Sequence, residues 1–129
     1  MKTPLIPISW GELFDKITIL QIKLENLQDK NALKNVKNEH DELFKIYNNT
    51  FLENENAKRL LVDLKNINKR LWNIEDDIRD KERHKTFDEK FIELARSVYI
   101  TNDERSRIKR NINNTFGSQF IEEKSYSDY

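Results

Sequence analysis

From Leu60 to Ile78 an apolar residue returns every three or four positions: Leu60, Leu64, Ile67, Leu71, Ile74, Ile78. An α-helix turns once in 3.6 residues, so this period puts all six on one stripe, whereas a strand would need alternation of period two. Leu13, Ile17, Leu20, Leu24 and Leu27 keep the same spacing, and so do Leu33, Val36, His40, Leu43 and Tyr47. These are coiled-coil-like seams. The chain has only two Gly and two Pro in 129 residues, so little is available to make turns. The expected fold is therefore all-α, an antiparallel helical bundle. A long helical hairpin packs on a third long helix, and two shorter helices close the structure. Residues 1–129 are read as one domain, with 1–8 as an extended lead-in held by Pro4 and Pro7.

Capping chemistry places the ends. Ser9 followed by Glu12 is a capping box that opens the first helix; Ile19 and Ile22 lie off its main seam, which makes it apolar on more than one face and central. Asn31 is read as the cap of the second helix. The Asn-rich stretch from Asn48 to Asn56 is read as a loop, and the third helix as running from Ala57 to Arg83. Thr86 with Glu89 opens a short helix built on Phe87, Phe91, Leu94 and Val98. Thr101 with Glu104 opens another, with Ile108, Ile112 and Phe116 on one face. Gly117 stands where a helix C-terminus takes a left-handed residue. In the tail, 118–129, Phe120 and Ile121 are expected to dock on the bundle. That would bring Lys124 to Glu75 or Asp76 and Glu123 to an arginine.

Composition narrows the function classes. Twenty-three basic residues balance 23 acidic ones, so no global field draws nucleic acid or an anionic membrane. Absence of cysteine removes disulfides, thiolate catalysis and zinc–thiolate sites. No run is apolar enough for a membrane span or a signal-peptide core, and the cytoplasm is the expected compartment. His40 and His84 lack the spacing of a helical zinc pair, and His40 falls on a seam as a core histidine would, so no metal and no cofactor are expected. Glu39 and Glu42 give half of the carboxylate pattern of the all-α nucleotide pyrophosphohydrolases, and no Glu-x-x-Asp follows. The first helix is similar in period to that of helical chorismate mutases, but Phe14 stands where that family has its substrate-binding arginine.

Two segments carry opposite charge. Glu75 to Asp80 holds four acids and one base, and Arg105 to Arg110 holds four bases and no acid. They could pair across a helix contact. Trp72, Glu75, Arg79 and Glu82 are spaced 3, 4 and 3, which forms one polar stripe on the third helix. Such a stripe is either a solvated face with i,i+4 pairs or a partly buried ionic site beside an indole.

Several words of the chain resemble those of an uncharacterised family of small bacterial and phage helical proteins, a domain of unknown function. They are Asp15-Lys16-Ile17-Thr18-Ile19-Leu20, Leu71-Trp72-Asn73-Ile74-Glu75-Asp76-Asp77-Ile78-Arg79, Leu94-Ala95-Arg96-Ser97-Val98-Tyr99, Asn102-Asp103 and Glu122-Glu123-Lys124-Ser125-Tyr126. The resemblance implies no activity or cofactor, but its polar words imply where a site would lie. Ligand-binding candidates are Trp72, Glu75, Asp76, Arg79, Arg96, Tyr99, Asn102, Asp103, Lys109 and Lys124. The leading reading is a non-catalytic helical binding or assembly module, with a small anionic ligand or a protein as partner and a homodimer allowed by the apolar seams. The alternative is a small-molecule enzyme with Glu75 or Asp76 as general base and Arg79, Arg96 or Lys109 holding an anion, in surface-sugar or nucleotide metabolism. Nucleic-acid binding through Arg105 to Arg110 comes last, since that segment lacks interleaved aromatics and a Gly-rich loop. Catalytic residues stay unassigned.

Overall fold

A computed structural model describes residues 1–129, and in it the chain is all-α. The helices are α1 (Trp10–Asn26), α2 (Lys30–Phe51), α3 (Glu55–Arg83) and α4 (Glu89–Thr115). Helix α1 touches all three others; α2 packs mainly on α1, and α3 and α4 form a long hairpin that also packs on it. Between Gly11 and Ile22 nearly every position of α1 is buried or half-buried, and Lys16 alone is exposed. The central position expected from its two apolar faces is thus the one it occupies.

The core is aromatic and lies where α1 meets the C-terminal half of α2 and the start of α3. Phe14 is completely buried, with Tyr47 and Phe51 edge-on to it at 5.3 and 5.4 Å and Phe116 at 6.0 Å. Leu60, Leu64 and Ile112 complete the cluster. Each such side chain stabilises the fold by about 1.5–3 kcal/mol when withdrawn from water. This packing also corrects the expected Asn48–Asn56 loop. Tyr47 and Phe51, one turn apart, both enter the core, so α2 continues through the asparagines on its outer face. Only Leu52–Asn54 connects α2 to α3.

The helix ends follow capping chemistry, at partly different residues. Ser9 caps α1, its Oγ accepting the Glu12 N–H at 3.1 Å. Asp29 rather than Asn31 caps α2, and Asn54 caps α3. Asp88 takes the role expected of Thr86, because the Thr86 N–H is already donated to the Lys81 carbonyl at 2.9 Å, closing α3 over Lys85 at φ 54°. The two shorter helices expected after Thr86 are one helix of 27 residues. Thr101 is no cap: it is 2% exposed, mid-helix, and its burial holds α4 continuous where the local signal suggested a start. Gly117 adopts φ 63°, and the Ser118 N–H reaches back to the Asn113 carbonyl at 2.8 Å, as a glycine-capped C-terminus requires.

The tail lies along α4 but is held differently than expected. Phe120 and Ile121 are 47% and 40% exposed and anchor nothing. Ion pairs hold it instead. Glu123 meets an arginine as expected, its carboxylate accepting from both terminal nitrogens of Arg110 at 3.2 and 3.3 Å, and Glu122 lies 3.6 Å from Lys109. Lys124 pairs within the tail, with Glu122 at 2.5 Å, rather than with Glu75 or Asp76.

Candidate functional site

Helix α1 comes closest to α4 at Gly11. A Cβ there would stand 2.8 Å from the Lys109 carbonyl oxygen and 2.9 Å from Asn113 Oδ1, so only glycine permits this approach. The Gly11 N–H, left free at the start of α1, donates to Asn113 Oδ1 at 2.7 Å, and the Trp10 N–H donates to Ser118 Oγ at 3.0 Å. Two of the unpaired amides at the N-terminus of α1 are thus bonded to α4 and the start of the tail.

Below this contact, α1 presents Glu12, Asp15 and Thr18 at intervals of three, and α4 presents Arg105 and Lys109 at an interval of four. Arg105 grips the Asp15 carboxylate through Nε at 3.0 Å and Nη2 at 2.5 Å, a two-pronged pairing that fixes orientation as well as charge. Lys109 Nζ lies 2.6 Å from Glu12 Oε1, 3.7 Å from Asp15 and 3.6 Å from Glu122. From α3, Asn68 donates to Asp15 Oδ1 and to Thr18 Oγ1, both at 2.9 Å, and the Thr18 hydroxyl donates to the Asp15 carbonyl. The Asp15 side chain is 5% exposed and that of Lys109 11%.

Burial pushes the Asp15 carboxyl up, but the Arg105 hydrogen bonds and charge, then Asn68 and Lys109, outweigh it and hold the group below the usual carboxylate range. The Asp15 carboxylate in turn raises Arg105. The hydrogen bond from Lys124, with the Lys109 charge adding to it, brings Glu122 down to about 2. Every charge in this network is met by an opposite one.

Above the network, between α4 and the tail, lies a cleft of about 1070 Å³. Tyr99, Tyr126 and Tyr129 stand on its walls, with Arg105, Arg107 and Lys124 among its charged lining. Tyr99 and Tyr129 meet edge to face at 5.2 Å, and the Tyr129 hydroxyl donates to Asp103, which raises the Tyr129 phenol above its ordinary range.

Of the residues singled out in the sequence, the cleft brings together Tyr99, Asn102, Asp103, Lys109 and Lys124. Asn102 accepts from Arg105 Nη1 at 3.2 Å. The other five lie outside it. Trp72 and Glu75 are half-buried on α3, Asp76 and Arg79 are exposed there, and Arg96 is exposed on α4. Glu75 pairs with Arg79 at 3.1 Å in the open, one turn away on the same helix. The two oppositely charged segments do not pair as blocks either, since Arg105 and Lys109 turn to α1. His40 stacks on Phe44 at 5.2 Å.

A family model matches the chain over residues 4–129, which takes in all four helices, the network and the tail. The chain belongs to this family, a family of unknown function (DUF6165). No curated protein and no solved structure matches it.

Sequence reasoning missed Glu12, Asp15, Thr18, Asn68, Arg105 and Glu122 as members of one site. A signal for Asp15 was present. It stands in the most apolar part of the chain, beside Leu13, Phe14, Ile17 and Thr18, where a carboxylate must be paired if it is buried. The segment rich in bases and free of acids, Arg105 to Arg110, was the obvious source of its partner.

Proposed function

We propose that this protein is a non-catalytic helical binding module whose site is the cleft between α4 and the C-terminal tail. One observation carries the reading: the charges beneath the cleft are locked to one another, while its rim keeps groups free to meet a ligand. A general base working near neutral pH needs a pKa close to 7. Asp15 and Glu122 are both displaced the other way, which favours support over proton transfer. Arg107, exposed and outside every ion pair, offers a cation to an anionic group of a ligand, and the three tyrosines offer rings against which an uncharged part of the same ligand can pack. The cleft words Tyr99, Asn102-Asp103 and Glu122 to Tyr126 belong to the polar set that the sequence resemblance marked. That no helix is long and apolar enough to cross a membrane, together with the absence of cysteine, supports action in the cytoplasm.

The test is an amide-resolved NMR titration with a panel of anionic metabolites. Saturable shifts at Tyr99, Asn102, Ser106 and Tyr129, with the ligand chemically unchanged after hours, are the expected result. Conversion of the ligand to a product would overturn the non-catalytic reading. Shifts centred on Trp72, Glu75 and Arg79 would move the site to α3.

A further inference from the structure

A smaller pocket of about 120 Å³, with no hydrophobic residue in its lining, shares Ser106, Arg107, Lys109 and Lys124 with the cleft. Ser106, Arg107, Lys109, Arg110 and Lys124 line it together with Glu122. Lys, Arg and a hydroxyl can all donate, and the acceptor in their midst is supplied by the tail itself. Glu122 takes Lys124 at 2.5 Å and Lys109 at 3.6 Å, while Glu123, beside it, takes Arg110 on both prongs. Arg107, three residues before Arg110 on the same side of α4, is left without a counter-ion.

The segment that brings these carboxylates in is weakly held by everything else. Beyond Ser118 it forms no helix, Phe120 and Ile121 are largely exposed, and Tyr126 and Tyr129 are each 80% exposed. Beyond Ser118 its attachments to α4 are the exposed Glu123–Arg110 pair, the longer Glu122–Lys109 pair at 3.6 Å and the Tyr129 contacts, a small set of polar links in place of apolar anchoring.

We propose that this pocket is a subsite for a phosphate-type oxyanion and that Glu122, with Glu123 beside it, occupies the subsite as an internal stand-in that the ligand displaces. The inference rests on the cleft reading and specifies its ligand. Two arginine forks on one helix face, a lysine and a serine hydroxyl match the acceptor-only oxygens of a phosphate group better than they match a single carboxylate. The phosphate could be free or could belong to a larger molecule whose remainder lies in the tyrosine-walled cleft.

Calorimetric titration of the full chain at low salt, with inorganic phosphate and separately with phenyl phosphate, tests the proposal. Saturable one-to-one binding is expected. The Glu122→Gln/Glu123→Gln variant should bind about three- to tenfold more tightly, because the internal competitor has lost its charge. The exposed pair Arg107→Gln/Arg110→Gln should weaken binding by about tenfold or more, with the helical circular dichroism unchanged. Tighter binding of phenyl phosphate supports an esterified ligand, and equal binding supports the free ion. Unchanged or weaker affinity in the glutamine-tail variant overturns the stand-in. Undiminished affinity in the arginine variant, or no saturable binding to either the wild-type chain or the glutamine-tail variant, overturns the subsite. A phosphate-free ligand shifting Tyr99 and Tyr129 in the NMR titration, with no saturable phosphate binding by calorimetry, would sink this proposal and leave the cleft reading standing.

Discussion

Two acid–base pairs of this chain, one local and one joining distant helices, end in opposite surroundings. On α3, Glu75 and Arg79 are four residues apart and meet at 3.1 Å, with side chains 44% and 77% exposed. Between α1 and α4, Asp15 and Arg105 are 90 residues apart and meet at 2.5 Å, at 5% and 27%. The first pair needs only a helix and is screened by water, so it contributes little. The second exists only when α1 lies on α4. There, removal of one partner strands a charge away from water. Spacing along a helix tells which charges can meet; the place where another helix crosses decides which meetings matter.

The sharpest way to break the comparison is Asp15→Ala. Arg105 and Lys109 would lose their shared carboxylate, Asn68 an acceptor, and the fold should lose about 3 kcal/mol, the low end for a buried pair because Arg105 can still reach solvent. Thermal unfolding should then begin about 10 °C lower. An unchanged melting temperature would mean the network contributes nothing beyond its neighbours' packing.

Gly11→Ala attacks the same contact without touching a charge. The new methyl would press on the Lys109 carbonyl and on Asn113, both fixed by α4, at an expected cost of about 1–3 kcal/mol in the same melting experiment. A neutral result would show that α1 can withdraw from α4 and that the glycine is not needed for the crossing.

Acid supplies a third test. The folded-state pKa of Asp15 lies below its ordinary 3.8 and that of Glu122 lies at about 2 against 4.5, so the stability each gives is present above the ordinary value and is lost as pH falls through the folded one. Denaturant midpoints should hold down to about pH 5 and then decline toward pH 2. The decline should be shallower in Asp15→Asn, which has no proton to take up at that position. Identical slopes for the two proteins would remove Asp15 from the account of acid sensitivity.

The smallest effect belongs to the other member of the comparison. Replacing Glu75 and Arg79 together by alanine should change stability by no more than about 0.5 kcal/mol, and raising the salt concentration should shrink even that. A loss of several degrees on melting would show that the α3 stripe supports something beyond itself.

What the sequence made legible was whatever is settled within a few residues. The three apolar seams, the Ser9 cap and the left-handed Gly117 need no knowledge of distant chain, and all stand where the pattern put them. Thr101 misled because the words of a capping box also occur inside helices, and only the bundle's interior says that this threonine is buried. The asparagines after Tyr47 misled because Phe51 is drawn into a core assembled from three other helices. The site was half visible for the same reason. Tyr99, Asn102, Asp103, Lys109 and Lys124 lie on α4 or on the tail that returns along it. Glu12 and Asp15, the partners of Lys109 and Arg105, stand at the far end of the sequence, where no spacing argument reaches.

The seam between α1 and α4 also sets a timetable. The hydrogen bonds that close it span 90 to 108 residues, from Asp15 to Arg105 and from Trp10 to Ser118. A ribosome adds about 5–20 residues per second, so the first helix waits roughly 5–20 s for the last to be made. During that interval Phe14 already has Tyr47 and Phe51 to lie against, whereas Asp15 has no cation to meet. The nascent chain can thus hold its apolar hairpin early and lock the polar side only when synthesis is nearly over.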